Sequence, residues 1–132
     1  MLDTDTASYV IDKSEPAIDA RLQALDREQV CISAITRAEL QFGARRLPKA
    51  IRLHAGVDRF LANIPTLAWD EAAADCFADV KAELERKGTP IGDLDTMIAA
   101  HAHAAGAILV TNNVKHFRRV KGLAIENWTK GK

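Results

Sequence analysis

Aromatic residues are scarce, at 5% of the chain. A single-strand nucleic-acid binder that stacks bases on a platform of rings is therefore not expected. Cysteine is scarcer: Cys31 and Cys76 stand alone in apolar or helical runs, with no C-x-x-C and no Cys/His pair at zinc spacing. That excludes a disulfide scaffold and a zinc finger, and both cysteines are expected to be buried thiols in a reducing cytoplasm. No run of about 18 apolar residues occurs, so no membrane span is expected. No basic stretch followed by an apolar run opens the chain, so no signal peptide is expected. Nor is there an excess of one charge: 18 Lys and Arg balance 18 Asp and Glu. A protein coated in positive charge is excluded, while a local basic face is not, because net charge is silent about distribution. Nucleotide cradles of the G-x-x-x-x-G-K and G-x-G-x-x-G types are missing. So are linkers, low-complexity tracts and internal repeats.

What is present is enough apolar sequence for a core. The 132 residues are 48% hydrophobic and 27% charged, which predicts a single domain over 1–132. Met1-Leu2-Asp3 is a short apolar start that meets polar residues at once. Ile18, Leu22 and Leu25 recur at helical spacing, residues 30–32 read as a strand, and 34–43 read as helix,. Leu53, Val57, Phe60, Leu61 and Ile64 form a helical stripe that stops near Pro65, and 66–69 is a strand candidate. From Asp70 to about Lys87 runs the best amphipathic helix, ended by Gly88,. A small-residue helix is predicted over 95–105, strands over 108–110 and 123–125, and a short basic helix or turn over 114–119. Short strands alternating with longer helices predict an α/β fold: a small parallel sheet with helices on both faces, in three layers.

Ligands in such sheets bind at the carboxyl ends of the strands. Asp3, Thr4 and Asp5 follow the first strand, Thr36 and Glu39 follow the second, and Thr111, Asn112 and Asn113 follow the strand at 108–110. The loop before the helix at 95–105 adds Asp93 and Asp95. Each has a purely structural reading. Asp3 could cap a helix, Thr36 and Glu39 match a capping box, Asp93 and Asp95 could cap or favour a helix dipole, and Asn113 suits a turn. Together, however, those readings leave several carboxylates close to one another with no cation, and like charges repel. A hard divalent ion such as Mg²⁺ removes the conflict and supplies water for phosphodiester hydrolysis. The histidines lack zinc spacing, with His101 and His103 on different helix faces, His54 isolated and His116 in a basic loop,. Ser33 has no recognisable His/Asp partner in the sequence. Basic residues gather at Arg45, Arg46, Lys49 and Arg52, and again at Lys115, His116, Arg118, Arg119 and Lys121 beside the acidic rim. The second cluster suits a phosphate-bearing substrate.

Residues 1–4, 32–40, 88–100 and 109–113, in that order, resemble the PIN-domain ribonuclease toxins of the VapC family. The resemblance extends over essentially the whole chain, as far as Trp128. It implies a PIN-like α/β/α domain and an endoribonuclease dependent on Mg²⁺ or Mn²⁺. By motif position Asp3, Glu39 and Asp95 match the family's first three acidic residues, with Asp3 and Asp95 as metal ligands. The fourth acidic position falls on Asn113, which removes one negative charge. Asp5 stands where the family often has Asn. Asp93 is a second carboxylate within reach, and Thr4, Thr36 and Thr111 are candidates to support the ligands. Lys115, Arg118 and Arg119 are the expected RNA contacts. The segments 88–92 and 110–113 look like the branch that cuts initiator tRNA in its anticodon loop. Family members usually form homodimers and larger assemblies with a VapB antitoxin in the cytoplasm. An antitoxin helix is expected along Phe42, Leu47, Leu53 and Phe60, with an Arg or Lys placed among Asp3, Glu39 and Asp95. Two alternatives remain at this stage. One is a haloacid-dehalogenase-type phosphatase built on Asp3-Thr4-Asp5, although Ala7 stands where that motif wants Thr or Val. The other is a non-catalytic module on the same fold.

Overall fold

Leu2 lies at the centre of the sheet, fully buried, with Ile32 bridged on one side and Val110 on the other, both in parallel. In the computed structural model, which describes residues 1–130, β1 (Ile32–Ser33) pairs with β2 (Thr66–Leu67) and β3 (Leu109–Val110) pairs with β4 (Ile125–Glu126). The spatial order is therefore β2, β1, Leu2, β3, β4, with every pairing parallel. Successive residues of a strand face opposite sides of a sheet. Leu2, Ile32 and Val110 accordingly pack with Ile18, Leu40, Val57 and Phe60. Their neighbours Met1 and Leu109 pack with Leu84, Ile98, Ala99 and Phe117 on the other face.

Helices α1 (Thr4–Asp12), α2 (Pro16–Gln23), α3 (Ala34–Arg45) and α4 (Ile51–Asn63) supply the first layer. Helices α5 (Glu71–Arg86), α6 (Asp93–Ala104) and α7 (Val114–Phe117) supply the second. This is the three-layer parallel architecture that the sequence predicts. Truncating a central side chain such as Leu2 to Ala would cost about 2–5 kcal/mol through lost burial and the cavity left behind.

The strand at Leu2 and β1 are short because caps convert them to helix at once. The Asp3 carboxylate accepts from the Thr6 N–H at 2.9 Å and starts α1. The Ser33 hydroxyl accepts from the Ile35 N–H at 3.0 Å and starts α3. Both helix starts therefore sit at the carboxyl ends of their strands. Helix α1 has no visible stripe in the sequence: Thr, Ser, Tyr, Val and Ile are mediocre helix formers, and it is the cap and the packing of buried Thr6 and Ala7 that set it,. Helix α6 begins two residues before the expected start. Its N-cap is Gly92, at φ 92°, where any side chain would be strained although a Cβ would meet nothing,. Gly56 of α4 has the opposite constraint, because a Cβ there would stand 3.0 Å from Ile11 Cγ2 of α1.

Two expectations are corrected. Cys31 and Cys76 are only half-buried: Cys31 packs against the second core cluster but also lines a cleft with Met1, and Cys76 lines another with Val80. Of the apolar residues expected on the surface of α3 and α4, Phe60 is buried against the sheet and Leu53 is half-buried. Phe42 and Leu47 are exposed, and Ile51 joins them.

Candidate active site

The carboxyl ends of the central strands collect the acidic residues as the sequence suggests. Asp3 follows Leu2 and is 4% exposed. Burial pushes its carboxyl above the ordinary range, hydrogen bonds from Thr111 and Thr6 offset part of this, and the charge of Asp5 adds to it. Glu39 is half-buried on α3. Burial also raises its carboxyl, a hydrogen bond from Thr4 opposes the rise, and the charges of Asp95, Asp5 and Asp3 all reinforce it. Four carboxylates thus act on one another from α1, α3, α6 and the end of the first strand.

Threonines hold this set in place. Thr4 Oγ1 lies 2.5 Å from Glu39 Oε1 and 3.1 Å from Thr36 Oγ1. With a single proton, Thr4 donates to the carboxylate and accepts from the buried Thr36 hydroxyl. Thr111 is buried, bonds Asp3, and accepts from the Asn113 N–H at 2.9 Å. Glu39 is not part of a capping box, because α3 starts at Ser33 and places Glu39 well inside the helix. Asp93 and Asp95 are not caps either. They occupy the first turn of α6, where negative charge is favourable,.

One neighbour was missed. His116 Nε2, on α7, lies 3.0 Å from Asp95 Oδ2. Helical or zinc spacing could not reveal the contact, since the two residues meet only after α6, β3 and α7 fold together. Asp93 is directed elsewhere: its carboxylate pairs with Lys81 of α5 at 3.0 Å and is well exposed. Asp5 is exposed in the first turn of α1. Asn113 is exposed at the start of α7 with no capping bond from its side chain. Lys115 and Arg118 line a groove beside it, whereas Arg119 donates to the Pro90 carbonyl at 3.0 Å.

Ser33 does have a histidine partner, contrary to the sequence reading. Its Oγ is 2.8 Å from His101 Nδ1. The His101 ring donates to the Ala68 carbonyl, so Nδ1 of the neutral ring accepts the proton of the fully buried Ser33 hydroxyl, which itself accepts from the Ile35 N–H, and the pair is a structural clasp,.

Among the described residues no three His, Cys, Asp or Glu side chains stand close enough to enclose a metal ion directly. The donor set is nevertheless all oxygen, and Glu39 feels the charges of Asp95, Asp5 and Asp3. That suits a small hard cation that binds through one or two carboxylates and keeps its waters; it does not suit a site built like a zinc cage.

The family model of the PIN domain matches residues 1–123. A Salmonella typhimurium protein named tRNA(fMet)-specific endonuclease VapC is 41% identical over 128 residues, covering 97% of this chain and 96% of the relative. A Shigella flexneri protein of the same name is 40% identical, covering 98% and 97%. The crystal structure of DNA-bound VapBC from Salmonella typhimurium contains a chain that superposes with a TM-score of 0.91 at 40% identity, covering 97% and 96%. The chain belongs to the PIN-domain family and, within it, to the VapC proteins. The fold of Asp3-Thr4-Asp5 now has its explanation without a phosphatase: Asp3 caps a helix that begins at Thr4.

Proposed function

We propose that the chain is the toxic endoribonuclease of a toxin–antitoxin pair and that it cuts initiator tRNA in the anticodon loop, as the names of its relatives suggest. The observation that carries the catalytic reading is the meeting of Asp3, Asp5, Asp95 and Glu39 in one mutually repelling group at the strand ends. Asp3 and Asp95 would hold Mg²⁺ or Mn²⁺. When bound, such an ion lowers the pKa of water and offsets charge building on the phosphoryl oxygens.

The chain's own residues supply the rest. Glu39 has one oxygen engaged by Thr4 and the other free to take a proton from the attacking water. Its raised pKa brings it toward the neutral range in which a base is effective,. His116 holds Oδ2 of Asp95 and so fixes the direction of the second oxygen,. Thr111 links Asp3 to the Asn113 backbone, which ties the rim to α7. Water adds to phosphorus, the bond to the 3′ oxygen breaks, and that oxygen takes up a proton. The products are a 5′-phosphate and a 3′-hydroxyl.

An antitoxin of the VapB kind is the partner that this reading requires, since relatives are solved as VapBC complexes. Phe42, Leu47 and Ile51, with Arg46 stacked over the Phe42 ring, form an exposed surface available to it. A homodimer acting in the cytoplasm completes the proposal; no helix among the described residues is long and apolar enough to cross a membrane.

Sequencing RNA ends after expression of the chain, beside Asp95→Asn, tests the function. New 5′-phosphate ends in the initiator tRNA anticodon loop, absent with the variant, are expected. Identical ends with both chains would overturn the ribonuclease reading. Ends confined to other RNAs would overturn the tRNA assignment alone.

A further inference from the structure

Beside the acidic rim lies a groove whose polar lining contains no carboxylate. Asn112, Asn113, Lys115, Arg118 and Asn127 line it, over an apolar floor that includes Ile125. In a chain of zero net charge, a groove with two cations and no acid is a local departure from the average. Among the described residues neither Lys115 nor Arg118 makes an ion pair, and both are exposed.

The amides are oriented as well as present. Asn127 Oδ1 accepts from the Thr129 N–H at 2.9 Å and from the Thr129 hydroxyl at 2.6 Å. A backbone N–H can only donate, so the oxygen faces Thr129 and the Asn127 NH₂ is left for a ligand. Asn112 is braced by Tyr9 and by the Thr129 hydroxyl, whose oxygen lies 3.1 Å from Asn112 Oδ1. The Asn113 side chain makes no capping bond. The groove therefore presents ammonium, guanidinium and amide donors without an acidic competitor. No aromatic side chain lines it, so a base there would be held by its polar edge rather than by stacking.

The groove and the rim share parts. Thr111 bonds Asp3 and receives the Asn113 N–H. Helix α7 carries His116 against Asp95 and Lys115 within the groove. Of the three expected RNA contacts, Lys115 and Arg118 line the groove, whereas Arg119 is spent on the Pro90 carbonyl.

We propose that this groove is a nucleotide subsite, in which Lys115 and Arg118 bind the phosphate next to the one that is cut while Asn113 and Asn127 bind the edge of its base. The proposal rests on the ribonuclease reading. It deepens that reading by separating Lys115 and Arg118 from the rest of the basic run.

Binding can be measured apart from cleavage by titrating a short fluorescein-labelled single-stranded RNA into the Asp3→Asn chain at several salt concentrations. Each neutralised phosphate of a single strand contributes about −0.7 to the slope of log affinity against log salt. Because Lys115 and Arg118 share one phosphate, replacing both with Gln is expected to flatten the slope by about 0.7, and Lys115→Gln or Arg118→Gln alone by part of that. Arg118→Lys keeps the charge and should restore it. Arg86→Gln removes a positive charge on α5, paired with Glu83, and should leave the slope alone. Asn127→Asp retains the acceptor for Thr129 and hence the local fold, but replaces the NH₂ with a negatively charged oxygen; it should weaken binding on the order of tenfold or more. An unchanged slope in the chain carrying both Lys115→Gln and Arg118→Gln, with cleavage by the unaltered chain intact, overturns the groove and leaves the ribonuclease standing. No RNA binding by the unaltered chain overturns both.

Discussion

Helices α3 and α6 each contribute to two polar clusters, and the two clusters obey opposite rules. In the clasp, Ser33 of the β1–α3 junction and His101 of α6 are buried, and every polar group has its partner: Ile35 to Ser33, Ser33 to His101, His101 to Ala68. At the rim, Glu39 of α3 and Asp95 of α6 act on each other as like charges, with Asp3 and Asp5 adding to the repulsion. Buried polar groups that serve the fold are satisfied from within. The charged forms of Asp3 and Glu39 are instead disfavoured by burial and by neighbouring carboxylates, the pattern that a site for something positive would show,.

The largest expected effect is on activity. Asp3→Ala or Glu39→Gln should lower RNA cleavage by on the order of 10²–10³-fold or more, whereas Ser33→Ala should leave the cleavage rate of the folded chain nearly unchanged. A comparable loss in all three would erase the distinction between rim and clasp.

The next effect is on stability in the presence of a divalent ion. Saturating Mg²⁺ or Mn²⁺ at about 100 times its dissociation constant should stabilise the folded chain by about 2.7 kcal/mol. The gain should vanish in Asp3→Ala and persist in Ser33→Ala, as read by thermal melting. In the same assay Ser33→Ala should itself cost about 1–3 kcal/mol, because it strands the Ile35 N–H and a buried His101 nitrogen.

The pH dependence should divide the clusters by sign. Burial holds the His101 pKa below its ordinary 6.5. The unfolded chain then binds a proton first as pH falls. The contribution of His101 to stability is full above about pH 6.5 and is lost as pH falls through its lower folded value. Asp3 and Glu39 are raised from ordinary values of 3.8 and 4.5. Without metal, their contribution is full below those values and is lost as pH rises through the folded ones. Melting curves in EDTA should show His101→Gln flattening the acid limb and Asp3→Asn flattening the opposite one. A shared limb for both variants would contradict the assignment. The smallest effect is at Gly92, where Ala should cost about 1 kcal/mol through its positive φ. By disturbing the first turn of α6 it should reduce activity more than that stability loss explains.

The layers were legible because the chain alternates short apolar runs with amphipathic stretches, and the acidic rim because a parallel sheet delivers its strand ends to one edge. That argument gathered Asp3, Asp5, Glu39, Asp93 and Asp95, and the resemblance to the family singled out Asp3, Glu39 and Asp95 among them. What was hidden depends on contacts between distant segments. Helix α1 lacks an apolar stripe and owes its start to Asp3. The pairs His116–Asp95 and His101–Ser33 span 21 and 68 residues, and no local spacing encodes either. Asp93 and Arg119 looked equivalent to their neighbours until Lys81 and the Pro90 carbonyl claimed them. Charge type is written in the sequence; which charges are already spoken for is not.

Asp3→Asn offers the most direct test. Asn caps a helix as well as Asp, so the substitution keeps α1 while it removes the buried negative charge and turns one of the two acceptor oxygens into an NH₂ group. Asp95 is a poorer probe, since its charge also favours the α6 dipole and pairs with His116. Melting temperatures of the unaltered chain and Asp3→Asn should be compared at neutral pH, first in EDTA and then in excess Mn²⁺. The account predicts a reversal of order: the variant melts higher than the unaltered chain in EDTA and lower in Mn²⁺. A variant that melts lower under both conditions, by the same margin, would show that Asp3 serves the fold and not a cation, and would contradict the account.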